Sequence, residues 1–261
     1  MQDFTLVIYK KLLNEFIFKG FKFLTFENFL SDNLQFNKII IMRHDVDRLP
    51  KNALKMAKLE HEMDIKASYY FRITSNSFDK NIIKKIASYG HEIGYHYEDL
   101  SITKGDYNKA IELFKKNLNH FRQLYPIKTI CMHGSPLSKF DNRLIWEKIS
   151  YREFGIIGEP YYDVDYKKIG YLTDTGRKWN SQNENIRDKV DTDFTFDFNS
   201  TYEIINTLTK NELPNILMIN IHPQRWHNNL FRWYFELISQ SIKNIIKRLI
   251  NSYGANKKNS N

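Results

Sequence analysis

The stretch Ile39-Ile40-Ile41-Met42-Arg43-His44-Asp45-Val46-Asp47 decides the fold class. Its four leading apolar residues suit a strand buried on both faces, as in a parallel sheet, and a cluster of polar groups closes it. Directly afterwards Pro50-Lys51-Asn52-Ala53-Leu54-Lys55-Met56-Ala57 switches to helical spacing, with proline in the first turn. This strand-to-helix unit recurs along the chain. Ala67 to Phe71 precedes a helical stretch from Asp79 to Tyr89, closed by Gly90 just past its end. His91 to Tyr97 leads into a helix from Tyr107 to Tyr125, and Lys128 to Met132 ends at His133-Gly134-Ser135-Pro136.

Further strands are predicted at Phe154 to Ile157, Ile169 to Thr173, Asp193 to Phe198 and, most clearly, Ile216 to Ile221, with a helix from Thr201 to Asn211 between the last two. Alternating elements of this length require crossover connections and hence a parallel sheet. The expected fold is α/β, a distorted (β/α) barrel of seven strands, with residues 1–261 forming a single domain. Its motifs span 39–225, an amphipathic helix follows at about 230–250, and a polar basic tail occupies 254–261. The polar segment Asp174 to Thr192 has no period and is expected to loop over the site.

Composition narrows the function classes. The single cysteine, Cys131, lies in an apolar run and reads as a small buried hydrophobe, and no disulfide can form within the chain. The opening residues lack the pattern of a secretion signal, and no run approaches the length of a membrane span, so a cytoplasmic protein is expected. Five cations in the last 21 residues account for much of the net charge of +9. With no zinc-finger spacing or RNA-binding motif, nucleic acid is not the expected partner.

In parallel α/β folds the active site lies at the C-terminal ends of strands, so polar residues that close apolar strands are informative. Four strands end in this way: at Asp45 and Asp47, at His96 and Glu98, at His133, and at Asn220-Ile221-His222-Pro223. Side chains two apart on a strand share a face, which pairs Asp45 with Asp47 and His96 with Glu98. Carboxylates and imidazoles converging at one mouth suit a divalent first-row cation such as zinc.

These motifs resemble the polysaccharide deacetylase superfamily, the NodB-homology or carbohydrate esterase family 4 group, in its branch associated with surface-glycan biosynthesis. The matching segments are Arg43 through Asp47, Gly90-His91-Glu92-Ile93-Gly94-Tyr95-His96, His133-Gly134-Ser135-Pro136, Asp174 through Trp179, and Ile221-His222-Pro223. The resemblance implies a metal-dependent hydrolase of non-peptide carbon–nitrogen bonds that removes an acyl group from an amino sugar of a surface glycan or its precursor. By it Asp45 is the catalytic base, Asp47 and His96 are metal ligands, His91 is structural, and His222 is the general acid, oriented by Asp174. Two departures accompany the match: Val46 separates acids that the family more often has adjacent, and Leu100 stands where a second histidine ligand belongs. Glu98 or His133 then completes the ligand set. His133 also takes the approximate place of a family arginine that bonds the base, which leaves Arg43 or Arg177 for that role. Arg43, Arg177, Trp179, Ser135 and Trp226 are the expected substrate-binding residues.

Two other functions fit part of the pattern. A haloacid-dehalogenase-like phosphotransferase would use Asp45 and Asp47 but leaves the histidines without a task. A barrel without metal or activity would serve as a glycan-binding protein. The helix from Leu230 to Ile250, with Phe231, Trp233, Phe235, Leu237, Ile242 and Ile245 offset from Lys243, Lys247 and Arg248, either packs on the barrel or meets the anionic inner face of a membrane.

Overall fold

The run that starts at Ile39 forms the middle of a sheet, and every residue from Ile39 to Val46 is buried. In the computed structural model the elements follow in the order α1 (Leu6–Phe18), β1 (Lys22–Leu24), α2 (Phe26–Ser31), β2 (Ile39–Val46), α3 (Pro50–Glu62), β3 (Ser68–Phe71), α4 (Lys80–Ser88), β4 (Glu92–Tyr97), α5 (Asp99–Ile102), α6 (Tyr107–Arg122), β5 (Ile130–Met132), α7 (Pro160–Asp163), β6 (Gly170–Thr173), α8 (Thr201–Thr209), β7 (Ile216–Ile221) and α9 (Leu230–Lys258). The structure describes residues 2–31, 36–179 and 188–258, with side chains described up to residue 245. Residues 180–187 of the expected site loop and 259–261 of the expected tail lie outside the described residues.

All strand pairs are parallel, in the order β5-β4-β3-β2-β7-β6, and β1 lies beside the first half of β2. The sheet is a curled half-barrel of α/β type with helices around it. The edge strands β5 and β6 do not pair. Beside β5 stands an irregular segment joined by one bridge, Thr129 to Gly158.

Two of the predicted strands are absent, for different reasons. Near Phe154 a capping box of Ser150 and Glu153 winds Tyr151–Phe154 into a 3₁₀ turn that ends at Gly155, φ 67°. From Asp193 to Phe198 the alternation is real, since Phe194, Phe196 and Phe198 stack in a row at 6.0 and 5.8 Å, but no strand pairs with them. Conversely β1, with only three residues, is too short to show a period.

Strand alternation divides the interior. Ile40, Met42, Val46, Tyr69, Ile93 and Tyr95 face outward and pack with helix residues such as Ile8, Ala53, Ile83 and Phe114. Ile39, Ile41, Tyr70, Cys131 and Met218 fill the inner face. Asp45 shares the parity of Ile39 and Ile41, so β2 carries its functional end on the inner side.

The Gly90-to-His96 motif is explained locally. Gly90, at φ 83°, ends the turn after α4, and a Cβ at Gly94 would lie 2.2 Å from the Tyr70 ring. His91 is structural: Nδ1 accepts from the Ala67 N–H and Nε2–H donates to the Ala57 carbonyl, tying α3 to the start of β3.

Helix α9 runs past its predicted end, and its polar side faces the body. Glu236, Gln240 and Asn244 are buried, while Phe231, Phe235 and Ile242 are exposed. No helix among the described residues is long and apolar enough to cross a membrane.

Candidate metal centre

At the inner end of β2, Asp45 is gripped from one side. Arg43 Nε donates to its Oδ1 at 2.9 Å and Arg43 Nη2 to its Oδ2 at 2.6 Å, a bidentate pair on one strand face. Asn220 Nδ2, from the adjoining β7, donates to Oδ2 at 3.0 Å. Burial pushes this carboxyl up, but Arg43, His96 and His222 together outweigh it and hold Asp45 far below the usual carboxylate range.

Two residues on, past the end of β2, Asp47 Oδ2 accepts from Gln224 Nε2 at 2.9 Å. Its other oxygen, Oδ1, is buried and has no hydrogen-bond partner. Two imidazole nitrogens face that oxygen, His96 Nε2 and His133 Nε2, each at 3.5 Å. Both rings are fixed from behind. His96 Nδ1–H donates to the Cys131 carbonyl at 2.9 Å, and His133 Nδ1–H donates to Glu98 Oε2 at 3.0 Å. Since a carbonyl and an ionised carboxylate only accept, Nδ1 of each ring carries a proton, and Nε2 is the nitrogen turned toward the space beside Asp47.

These residues fit a divalent cation. Ligand atoms about 2.0–2.2 Å from a tetrahedral ion lie roughly 3.3–3.6 Å from one another. The 3.5 Å separations of the two imidazole nitrogens from Asp47 Oδ1 match that edge. One carboxylate oxygen and two imidazole nitrogens are a common catalytic donor set and leave a coordination position open. Asp45, His96 and Cys131 form a second grouping, but burial raises the Cys131 thiol far above its ordinary range and keeps it protonated, which disfavours it as a ligand.

Glu98, one of the two residues expected to complete the ligand set, is not grouped with Asp47, His96 and His133. β4 ends at Tyr97, so the two-residue alternation that paired Glu98 with His96 has stopped, and Glu98 begins α5 instead. Arg72 holds its carboxylate through Nε and Nη2 at 2.8 Å each, and His133 Nδ1 and the Ser135 hydroxyl take up Oε2. Burial pushes Glu98 up, but His133 and Arg72 bring it down to about 2. Leu100 is buried in α5 and plays no part in the centre.

A second polar group lies just past the ends of β7 and β6. Asp174 follows β6 and accepts from the His222 backbone N–H and, at 2.7 Å, from His222 Nδ1–H. Arg225 Nη1 at 2.7 Å and Trp226 Nε1 at 2.8 Å also donate to it. Burial raises Asp174, but Arg225 and His222 outweigh it and leave it ionised. With Nδ1–H held in this way, Nε2 is the His222 nitrogen turned away from Asp174.

The expected substrate-binding residues are placed differently. Arg43 is fully buried and pairs with Asp45, so of the two arginines considered for that position, Arg43 holds Asp45. Arg177 lies under α9, with its guanidinium between the rings of Phe4 and Trp233 at 5.0 and 4.6 Å. Trp179 is core: it stacks on Phe4, donates to Thr201 Oγ1 and meets Trp226 edge-on. Trp226 orients Asp174, and the Ser135 hydroxyl belongs to the Glu98–His133 network.

Arg72, Asn220, Gln224 and Arg225 were not assigned roles from the sequence. Arg72 follows β3, Asn220 ends β7, and Gln224 and Arg225 come just after it. The strand-end rule covers Asn220 and, applied to β3, reaches Arg72, but Gln224 and Arg225 lie in the turn beyond β7.

No family model matches the chain, and no curated protein matches it. Among solved structures it is similar to a mutant of a CE4 family pseudoenzyme with restored enzymatic activity, at 11% identity and a TM-score of 0.45. The match covers 78% of this chain and 62% of that one.

Proposed function

We propose that the chain is a divalent-metal-dependent hydrolase that removes an acyl group from the nitrogen of an amino sugar in a surface glycan or its precursor. The observation that carries the metal-dependent part is the unpartnered, buried Asp47 Oδ1 with two oriented imidazole nitrogens at 3.5 Å. The substrate class rests on the motif resemblance, and a cytoplasmic location belongs to the same proposal.

Asp47, His96 and His133 would hold the cation, which supplies Lewis acidity that eases deprotonation of water and polarises an acyl carbonyl. Asp45, kept ionised by Arg43, takes the proton from the attacking water. His222 delivers a proton from Nε2 to the departing nitrogen, and Asp174 keeps the ring turned for that transfer. The products are the free carboxylic acid and the amine.

The phosphotransferase alternative fares worse on geometry. It would use Asp45 and Asp47 but gives no task to His96 and His133, whose Nε2 atoms both face Asp47 Oδ1. The intact trio of Asp47, His96 and His133 likewise weighs against a binding protein with a decayed site.

Metal analysis after exposure to zinc tests the proposal, paired with acetate release from N-acetylated amino-sugar oligomers. About one equivalent of metal is expected, lost in Asp47→Ala, with hydrolysis only in the loaded wild type. A folded wild-type protein that retains no metal would sink it.

A further inference from the structure

Helix α9 is docked the wrong way round for a helix that covers a core. Its attachment is polar: Arg48 Nη2 pairs with Glu236 at 2.6 Å, Asn244 Nδ2 donates to the Gly176 carbonyl at 2.9 Å, and Trp233 Nε1 donates to the Asp3 carbonyl at 2.6 Å. The opposite side presents Phe231, Tyr234, Phe235, Ile238, Ile242 and Ile245 to solvent, each more than half exposed. A helix normally turns such a stripe inward, and a contiguous exposed apolar surface marks a contact.

Charge selects the partner. The helix sequence carries Arg232, Lys243, Lys247, Arg248, Lys257 and Lys258 against one acid, Glu236, which is turned inward onto Arg48. The exposed apolar stripe therefore belongs to a helix with a cationic excess, and its one acid is turned away from that stripe. Two copies facing each other across this stripe would bring two cationic helices together, at a Coulomb cost. An anionic lipid surface satisfies both features, since apolar side chains enter the acyl boundary while the cations meet the headgroups.

We propose that α9 docks the protein on an anionic membrane surface, lying in its plane with the Phe231-to-Ile245 stripe inserted. The inference does not depend on the metal centre.

The test is sedimentation of the full-length protein with vesicles of phosphatidylcholine, with and without phosphatidylglycerol, alongside its mass by light scattering. Binding is expected only with the anionic lipid and should weaken as salt rises. Ile238→Ser with Ile242→Ser should weaken it at least about tenfold. Both residues are exposed, so the melting temperature should not move. Arg232→Glu with Lys243→Glu, which leaves the stripe intact, should also reduce binding. Failure to bind anionic vesicles overturns the proposal, as does equal binding to phosphatidylcholine alone. A wild-type dimer that the serine substitutions convert to monomers would assign the stripe to a second copy instead.

Discussion

At the scale of single residues, Glu98 and His133 differ by one layer. His133 offers Nε2 to the space beside Asp47, whereas Glu98 fixes the opposite nitrogen of the same ring. Replacing a direct ligand removes a bond to the ion; replacing the residue behind it only loosens the ring. His133→Ala is therefore expected to abolish stoichiometric zinc binding, while Glu98→Gln retains it with an affinity roughly 10–100-fold lower. A competition titration against a chelator measures both. Equal loss in the two variants would place Glu98 in the ligand shell after all. The family resemblance left Glu98 and His133 as the alternatives for a third ligand. The choice turned on where β4 stops, since the face-sharing rule holds only while the backbone remains a strand.

At the scale of elements, α3 is fastened to the sheet by a buried carboxylate. Glu60 accepts from the hydroxyls of Tyr9 on α1 and Tyr69 on β3, and pairs with His44 Nε2 on β2 at 2.7 Å. Burial pushes Glu60 up, but His44, His91 and the Tyr9 hydroxyl together outweigh it, so the group is ionised and fully satisfied. Glu60→Ala would leave the two hydroxyls and the imidazole without their acceptor and should cost about 3–5 kcal/mol in chemical denaturation. A loss below about 1 kcal/mol would show that the cluster is not a structural joint. Helix α3 was legible from Pro50 and the spacing of Ala53, Met56 and Ala57, but Glu60 was not. A lone acid in a helix reads as exposed until its partners on other elements are known.

At the scale of the whole molecule, buried acids couple stability to pH. Burial lifts Asp99 from the ordinary aspartate range to about 7, although Tyr95 and Asn117 donate to it. In the unfolded chain the same group titrates near pH 4, so over the intervening range the folded protein holds a proton that the unfolded one has lost. The contribution is complete below about pH 4 and disappears as pH rises toward about 7. Asp99→Asn is neutral throughout. Its stability relative to wild type should therefore increase across that window by an amount on the order of a few kcal/mol, measured as denaturation free energy against pH. Parallel curves for the two proteins would refute the assignment.

The sequence by itself determined the repeating strand-to-helix order, the parallel sheet it requires, and the strand ends at which chemistry was to be sought. Those signals are local: a run, a period, a proline at a helix start, polar groups closing an apolar strand. Tertiary structure decided the rest, because it depends on residues far apart in the chain. His96 and His133 meet Asp47 through the neighbouring strands β4 and β5, and Arg72, Asn220 and Gln224 reach Glu98, Asp45 and Asp47 from other elements. The same holds for α9, whose sequence shows an apolar stripe but not its direction. That direction was set by Arg48, Asp3 and Gly176, which offer the helix polar partners and so turn its apolar side outward.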